Sequence, residues 1–400
     1  MTFAQSGRAP VQATARKKLG VVALSTPAHG GTFQYTLSMI EALRHVSGFD
    51  VTIYTDSRHY QNASFPVRPL TNVRATQAMQ TIAAELGFRL AEPFADEDVL
   101  LAPIYATALL HTRKPFAFTL HDLQERHFPQ NFSLAQRTWR RILNRLMVRR
   151  ATKVLCESQY VKNDIVTILG IDQAKVSIAV GPPQGLLTVD SDEARVRLTK
   201  AKFNLPDRFL FYPAQFWPHK NHLRLVEAFA SIHDAQPDLA LVLTGRENDM
   251  FAQVVARSHA LGVARSILHL GYVEAEEVAA IYRLATMLVM PSLYESVSIP
   301  IFEAFQAGTP VAASAIFAIP EQVGDAAILF DPLSPDAIAG AVLSLANNAE
   351  KSAEYSHRGR MRMRNLTAER YASQLQLVLD ALVCPLPCVF EQRPSSRATT

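Results

Sequence analysis

The chain has 400 residues, 48% hydrophobic and 19% charged, a globular balance that argues against a disordered or fibrous chain and allows two domains of roughly 150–200 residues each. Its formal net charge of +4 is small for this length and does not by itself imply a nucleic-acid partner. No apolar run approaches the roughly 20 residues that cross a bilayer, the first 18 residues lack the apolar stretch of a secretory signal, and Cys156, Cys384 and Cys388 suit neither a disulfide framework nor a zinc site, so a cytoplasmic protein is expected.

After a tail over 1–17, strand and helix patterns alternate, the signature of an α/β protein whose parallel sheets are covered on both faces. A strand is predicted over 19–25, then a Gly30-Gly31 turn, a helix over 32–46, and strands at 51–55, 99–104 and 116–120. Between Ser133 and Lys153, six arginines (Arg137, Arg140, Arg141, Arg145, Arg149 and Arg150) occur with no acidic residue. Leu134, Trp139, Ile142, Leu143, Leu146 and Met147 recur there at helical spacing and give a basic amphipathic helix. Its apolar stripe is expected to pack on its own domain. Arg137, Arg140, Arg141 and Arg145 are candidates to meet anionic lipid headgroups, placing the protein peripherally at the inner face of the membrane.

A strand at 153–156, a helix at 159–169 and a strand at 176–180 follow, and Gly181-Pro182-Pro183 closes a first domain over 18–185. The polar stretch 186–206 reads as a linker. A second series over 207–365 has strands at 209–212, 239–244, 267–271, 287–290 and 310–313, with a helix over 221–232. A last amphipathic helix over 366–384 is expected to return to the first domain, and 385–400 reads as a tail. Two such domains in tandem leave a cleft between the carboxyl ends of their sheets, where ligands bind.

Three stretches carry chemistry. Gly30-Gly31-Thr32, between a strand and a helix, lets backbone amides approach an anion, although it lacks the full Gly-x-Gly-x-x-Gly spacing of a dinucleotide site. In Pro213-Ala-Gln-Phe-Trp-Pro-His-Lys-Asn221, Lys220 stands at a strand's carboxyl end and a helix start, placed to meet a phosphate. His219 and His222 lack a carboxylate or cysteine partner at metal-ligand spacing. The strongest pattern runs from Pro291 to Pro310, with Glu295 in a loop, Pro300 opening a short helix, Glu303 one turn in and Gly308 at its end. Two carboxylates so placed can grip sugar and ribose hydroxyls, while amides around Ser298 and Ile299 face phosphate.

On the Gly30-Gly31 loop, His121-Asp122, the segment from Trp217 to His222 and the Glu-x7-Glu pair Glu295 and Glu303, the chain resembles the GT-B fold glycosyltransferases, most closely the retaining transferases of glycosyltransferase family 4, over residues 19–383. The resemblance implies two Rossmann-like domains and a nucleotide-diphosphate sugar donor, GDP- or UDP-linked. It also implies a saccharide or lipid-linked saccharide acceptor. In its terms Lys220 would bind the donor's phosphates, Glu303 the ribose hydroxyls, and Glu295 the transferred sugar near its reacting face. Gly30 and Gly31 would approach the phosphate and sugar, and His121 would stand near the anomeric carbon. Thr244, Gly245, Tyr272 and Val273 would lie along the nucleoside. The chain departs from the family at Gln215, where an arginine is frequent, and at Ser296 and Ser298, where glycines are usual.

Retaining members are pictured with same-face attack, so no nucleophile is assigned and no cofactor is expected. Asp96-Glu-Asp98 precedes its strand, at the wrong end of the sheet, and Asp190-Ser-Asp192 falls in the linker; no metal requirement is expected. Competing readings are a sugar-nucleotide epimerase or hydrolase of the same fold, for which only His121 offers acid–base chemistry, and a nucleotide-sugar-binding protein without turnover. A nucleic-acid partner is not expected, because the arginine helix is not interleaved with aromatic platforms. The loops 105–112 and 124–132 are expected to select the acceptor. Donor base, sugar and acceptor are left open.

Overall fold

The computed structural model describes residues 15–70, 76–183, 193–248 and 250–384. The expectations for residues 1–14 and 385–400, for Cys388, and for residues 186–192 with their Asp190-Ser-Asp192 pair lie outside the described residues.

Strands β1 (Lys17–Val22), β2 (Phe49–Tyr54), β3 (Val67–Arg68), β4 (Val99–Ala102), β5 (Phe116–Thr119), β6 (Lys153–Cys156) and β7 (Val176–Ile178) form one sheet. Their order is β3-β2-β1-β4-β5-β6-β7, and every pairing is parallel. Strands β8 (Phe209–Pro213), β9 (Ala240–Thr244), β10 (Ile267–His269), β11 (Met287–Met290), β12 (Val311–Ser314) and β13 (Ile328–Phe330) form a second parallel sheet, ordered β10-β9-β8-β11-β12-β13. The central strands are uninterrupted apolar runs buried along their whole length, as in β4 and β11, because helices cover both faces of each sheet. The expected two-domain α/β architecture is the one observed.

The first domain carries α1 (Gly31–Ala42), α2 (Gln77–Glu85), α3 (Gln124–His127), α4 (Leu134–Arg150) and α5 (Gln159–Leu169). The second carries α6 (Glu193–Lys202), α7 (His222–Ala235), α8 (Phe251–Ala260), α9 (Ala275–Leu284), α10 (Ile299–Ala307), α11 (Ile319–Val323), α12 (Pro335–Ala346) and α13 (Ala349–Met363). The final helix, α14 (Ala368–Val383), buries Tyr371, Leu375, Leu379 and Leu382 among Leu19, Val21, Met39 and Leu101 of the first domain.

The stretch read as a linker contains helix α6. Its charges dock it on α9, through Arg195 with Glu276, Lys202 with Glu277, and Arg283 with Glu193 at 3.1 Å. The apolar stripe of α4 also differs from its prediction. Leu143 and Met147 are buried, but Leu134 is 76% exposed, and the polar Asn144 is interior, donating to Glu125 at 3.0 Å.

Candidate active site

In both sheets the strand order reverses between the first strand and the fourth, between β1 and β4 and between β8 and β11, and loops at the carboxyl ends there enclose one interdomain cleft of about 1040 Å³. Its walls bring together Gly30, Gly31, His121, Gln215, Lys220, Tyr272, Val273, Glu295, Ile299 and Glu303, residues from both halves of the chain.

On the second domain, β8 leads into a 3-10 turn (Pro218–Lys220), after which Asn221 adopts a left-handed conformation with φ 59°. Its side-chain amide donates to the Pro291 and Pro332 carbonyls at 2.9 and 2.8 Å. Leu293 donates its amide to the His219 carbonyl at 2.7 Å, binding this turn to the loop after β11. The junction sets Lys220 Nζ 2.6 Å from Glu295 Oε1, both side chains being largely buried. Burial, together with the Lys220 charge, pushes His219 and His222 down to about 3, so these rings stay neutral beside the lysine. His222 stacks on Phe216 at 4.3 Å and is an interior ring.

Glu303 is buried in α10 and accepts a hydrogen bond from the Tyr282 hydroxyl at 2.9 Å. Burial raises its pKa above the ordinary carboxylate value, while bonds from Tyr282 and from Gln34 of the first domain act the other way. The N-terminus of α10, with Pro300 in its first turn, opens on the same cleft, adding partial positive charge to that of Lys220.

On the first domain, Gly30 has φ 55°, which favours glycine, and Gly31 begins α1. A Cβ on Gly31 would lie 3.2 Å from Ile299 Cδ1, so the two domains approach here backbone to side chain. His121, just beyond β5, lies with its Nδ1 2.6 Å from Glu157 Oε2 and its Nε2 2.9 Å from the Pro103 carbonyl. A carbonyl only accepts, so Nε2 is the nitrogen that carries hydrogen, and a carboxylate beside Nδ1 favours the protonated ring. Burial opposes that charge, but Glu157 and the two hydrogen bonds outweigh it and raise the pKa above the ordinary histidine value. Both ring nitrogens of His121 are thus engaged by protein groups. Glu157 follows β6, the neighbour of β5, and the sequence reading passed it over, although a carboxylate at the carboxyl end of an adjacent strand was a readable signal.

Several expected roles are corrected. Thr244 is buried outside the cleft wall, and its carbonyl accepts from the Ala214 amide at 3.1 Å. Gly245 is likewise outside the wall, pressed on the Ala214 carbonyl. The Ser298 amide does not face the cleft; it donates to Gln322 Oε1 at 2.8 Å, and Gln322 donates back to the Ser298 carbonyl at 2.6 Å. Arg140 turns inward to Glu125 and Asp122 at 2.7 and 2.9 Å and is not free for a lipid surface, and Arg145 pairs with Glu85 at the surface. Arg137 and Arg141 have no carboxylate partner among the described residues. The loops 105–112 and 124–132 do not line the cleft. Phe33 of α1, Arg44 in the turn just beyond it, and His59, Asn62 and Phe65 of the loop after β2 line it instead. Asp96 pairs with Arg68 at 3.2 Å and Asp98 accepts the Lys18 amide at 2.9 Å, both at the amino end of the first sheet.

Residues 197–362 match the family model of the glycosyl transferases group 1, and residues 29–179 that of glycosyltransferase family 4. The chain is 34% identical over 139 residues, 34% of its length, to O-antigen chain mannosyltransferase B of Escherichia coli, and 24% identical over 326 residues, 78% of its length, to O-antigen chain mannosyltransferase RfbU of Salmonella typhimurium. These alignments cover 36% and 86% of the relatives' own lengths; a match to the serotype-specific mannosyltransferase WbdA of Escherichia coli covers 23% of that protein. Among solved structures, Anabaena Alr3699/HepE in complex with UDP and glucose superposes with a TM-score of 0.71 at 16% identity, covering 92% of this chain and all of that one. WaaG, a glycosyltransferase involved in lipopolysaccharide biosynthesis, gives 0.65 at 14% identity, covering 89% of this chain and 98% of that one.

Proposed function

The chain belongs to the group 1 glycosyltransferases of the GT-B fold, and on that premise we propose that it moves a hexose, mannose in the first instance, from a nucleoside-diphosphate sugar to a saccharide acceptor, lipid-linked in the cell, during polysaccharide assembly. The observation that carries this reading is the convergence in one cleft of Lys220, the N-terminus of α10 and the buried Glu303. The mannosyltransferase names of two relatives support the sugar, and a neighbour's complex with UDP-glucose supports a nucleotide-linked donor.

The bond broken joins the anomeric carbon to the leaving phosphate oxygen, and the bond formed joins that carbon to an acceptor hydroxyl oxygen. Negative charge grows on the diphosphate as the sugar gains oxocarbenium character. Lys220 and the helix terminus are set where that charge develops. Attack from the same face lets the leaving phosphate take the acceptor's proton and retains the anomeric configuration. Glu295, tied to Lys220, lies beside the reacting sugar, and Glu303 accepts the ribose hydroxyls. This arrangement requires no metal. The epimerase or hydrolase reading fits less well, since Glu157 and the Pro103 carbonyl engage both ring nitrogens of His121.

Incubation with GDP-mannose, UDP-glucose or UDP-galactose and a mannose-terminated oligosaccharide tests this reading. The expected result is a one-hexose mass gain with one donor, chelator present, and an anomeric proton of the donor's configuration by NMR. Donor cleavage that is indifferent to acceptor would favour a hydrolase, and an inverted product would overturn the same-face route.

For the acceptor's carrier, a groove of about 920 Å³ along α4 presents Arg126, Arg137, Arg141 and Arg149 beside Leu134, Ile142 and Ile171. Cations flanking apolar side chains suit an anionic lipid surface. No described helix is long and apolar enough to cross a membrane. Arg137→Glu with Arg141→Glu is expected to abolish sedimentation with phosphatidylglycerol vesicles; unchanged sedimentation would remove the membrane role.

A further inference from the structure

Glu295 is preceded by Tyr294, and Tyr294 belongs to an aromatic cluster that joins the two domains. Tyr294 and Phe317, from the loops after β11 and β12, meet at a ring separation of 4.7 Å. From the first domain, His127 lies 5.7 Å from Tyr294 and 5.3 Å from Phe317, Phe128 lies 5.8 Å from Tyr294, and Tyr160 stands edge-on to Phe317 at 5.3 Å. Asp164 fixes the His127 ring at 2.5 Å. Glu321 of the second domain accepts the Gln159 and Tyr160 amides at 2.7 and 3.1 Å, locking the start of α5 beside the cluster.

The cluster grips Glu295 from both sides. Tyr294 is its chain neighbour, and Ala318, which follows Phe317, points its amide at the Glu295 carbonyl at 3.5 Å. Phe317 holds φ 50°, a left-handed conformation that costs a non-glycine residue energy and persists only where its surroundings impose it. Here the imposed feature is a ring directed into the other domain, at the turn that supports the catalytic loop.

We propose that Tyr294 and Phe317 are positioning residues, clasped by His127, Phe128 and Tyr160 of the first domain, that brace Glu295 against Lys220 in addition to the hydrogen bonds between the loops after β8 and β11. The proposal rests on the transferase reading for its activity readout, and on geometry alone for its structural one. The clasp thereby makes the donor-facing carboxylate depend on contact with the acceptor domain.

Phe317→Gly is the informative variant, because glycine accepts the positive φ and loses only the ring. Tyr160→Ala removes the partner ring from the other domain, far from the Glu295 chain. Turnover of GDP-mannose or UDP-glucose is expected to fall about tenfold in each variant, as small misplacements at a reacting centre do. Affinity for GDP and UDP is expected to stay within about twofold, since a positioning loss falls on turnover rather than ground-state binding. Phe317→Tyr keeps wild-type turnover, and the double variant is no slower than the slower single one, because the two changes remove one shared contact. A crystal structure of F317G is expected to show Glu295 displaced from Lys220. Wild-type turnover in both single variants, or multiplicative losses in the double variant, overturns the proposal. So does a F317G structure with the Lys220–Glu295 pair intact. A wild type that turns over neither donor counts against the transferase reading, and the position of Glu295 in F317G still decides this one.

Discussion

Lys220 Nζ lies 2.6 Å from Glu295 Oε1, although 75 residues separate them in the chain. They meet because β8 and β11 are neighbours in the sheet, and each residue sits in the loop leaving its strand. Among the described residues, Lys220 is the one cation paired with that carboxylate.

Removing either partner separates stability from chemistry. Lys220→Ala leaves a largely buried carboxylate unpaired and is expected to cost about 1–3 kcal/mol in urea unfolding. Turnover is expected to fall roughly 10²–10³-fold with the lost leaving-group charge. Adding Glu295→Gln to Lys220→Ala is expected to restore much of the stability and none of the turnover. Recovery of turnover in the double variant would mean that Lys220 serves only to neutralise Glu295.

Nucleotide binding is expected to depend on pH through Glu303. A ribose hydroxyl donates best to the ionised carboxylate, and burial raises the Glu303 pKa above its ordinary value. Calorimetric affinity for the cognate nucleoside diphosphate should therefore rise with pH, with a midpoint above the ordinary carboxylate value. Glu303→Gln should weaken binding about tenfold and remove that rise. The folded protein binds this proton more tightly than the unfolded chain, so the carboxyl withdraws stability as pH climbs from the ordinary carboxylate range through the folded value.

His121 makes the opposite kind of carboxylate contact, and its sign is the reverse of a buried neutral histidine's. Its pKa is raised in the fold, so the stability from its bond to Glu157 is fully present below the unfolded histidine value of about 6.5 and is lost as pH rises through the folded value. Glu157→Gln is expected to lower Tm at about pH 6 more than at about pH 9. Equal losses at both would mean that the imidazolium is not the state the fold stabilises.

Gly245 carries a structural role. Its φ is 131°, and a Cβ there would meet the Ala214 carbonyl oxygen at 2.4 Å. Gly245→Ala is expected to cost about 2–4 kcal/mol in chemical denaturation. Nucleoside-diphosphate affinity in the folded fraction should remain unchanged; a selective loss of affinity would return Gly245 to the donor site.

The difference between what could and could not be read follows from sequence separation. Strands such as 153–156 and 287–290, and the helix 159–169, coincide with the observed elements, because short apolar runs and clear caps (Ser158 before that helix, Gly170 after it) are local signals. β3, two residues long, holds too little pattern to register. Helix α6 was hidden because its charges serve a partner about 80 residues away rather than a local apolar face. In the site, Lys220 stands out because it precedes a helix start, and Glu295 and Glu303 because they flank Pro300 at the opening of α10. The use of the Ser298 amide by Gln322, and the inward turn of Arg140, depend on neighbours that only the tertiary fold supplies.

The most direct test of the account is thermal unfolding of the wild type and Glu303→Ala with GDP, UDP, ADP and their sugars, each with and without chelator. A ligand that binds only the folded state raises Tm by mass action. The account predicts a rise with GDP or UDP and its sugar, unaffected by chelator and lost in Glu303→Ala. No rise with any of them in the wild type, at ligand concentrations of about 1 mM or above, or a rise that Glu303→Ala leaves intact, would contradict the assignment of this cleft as a nucleotide-sugar site.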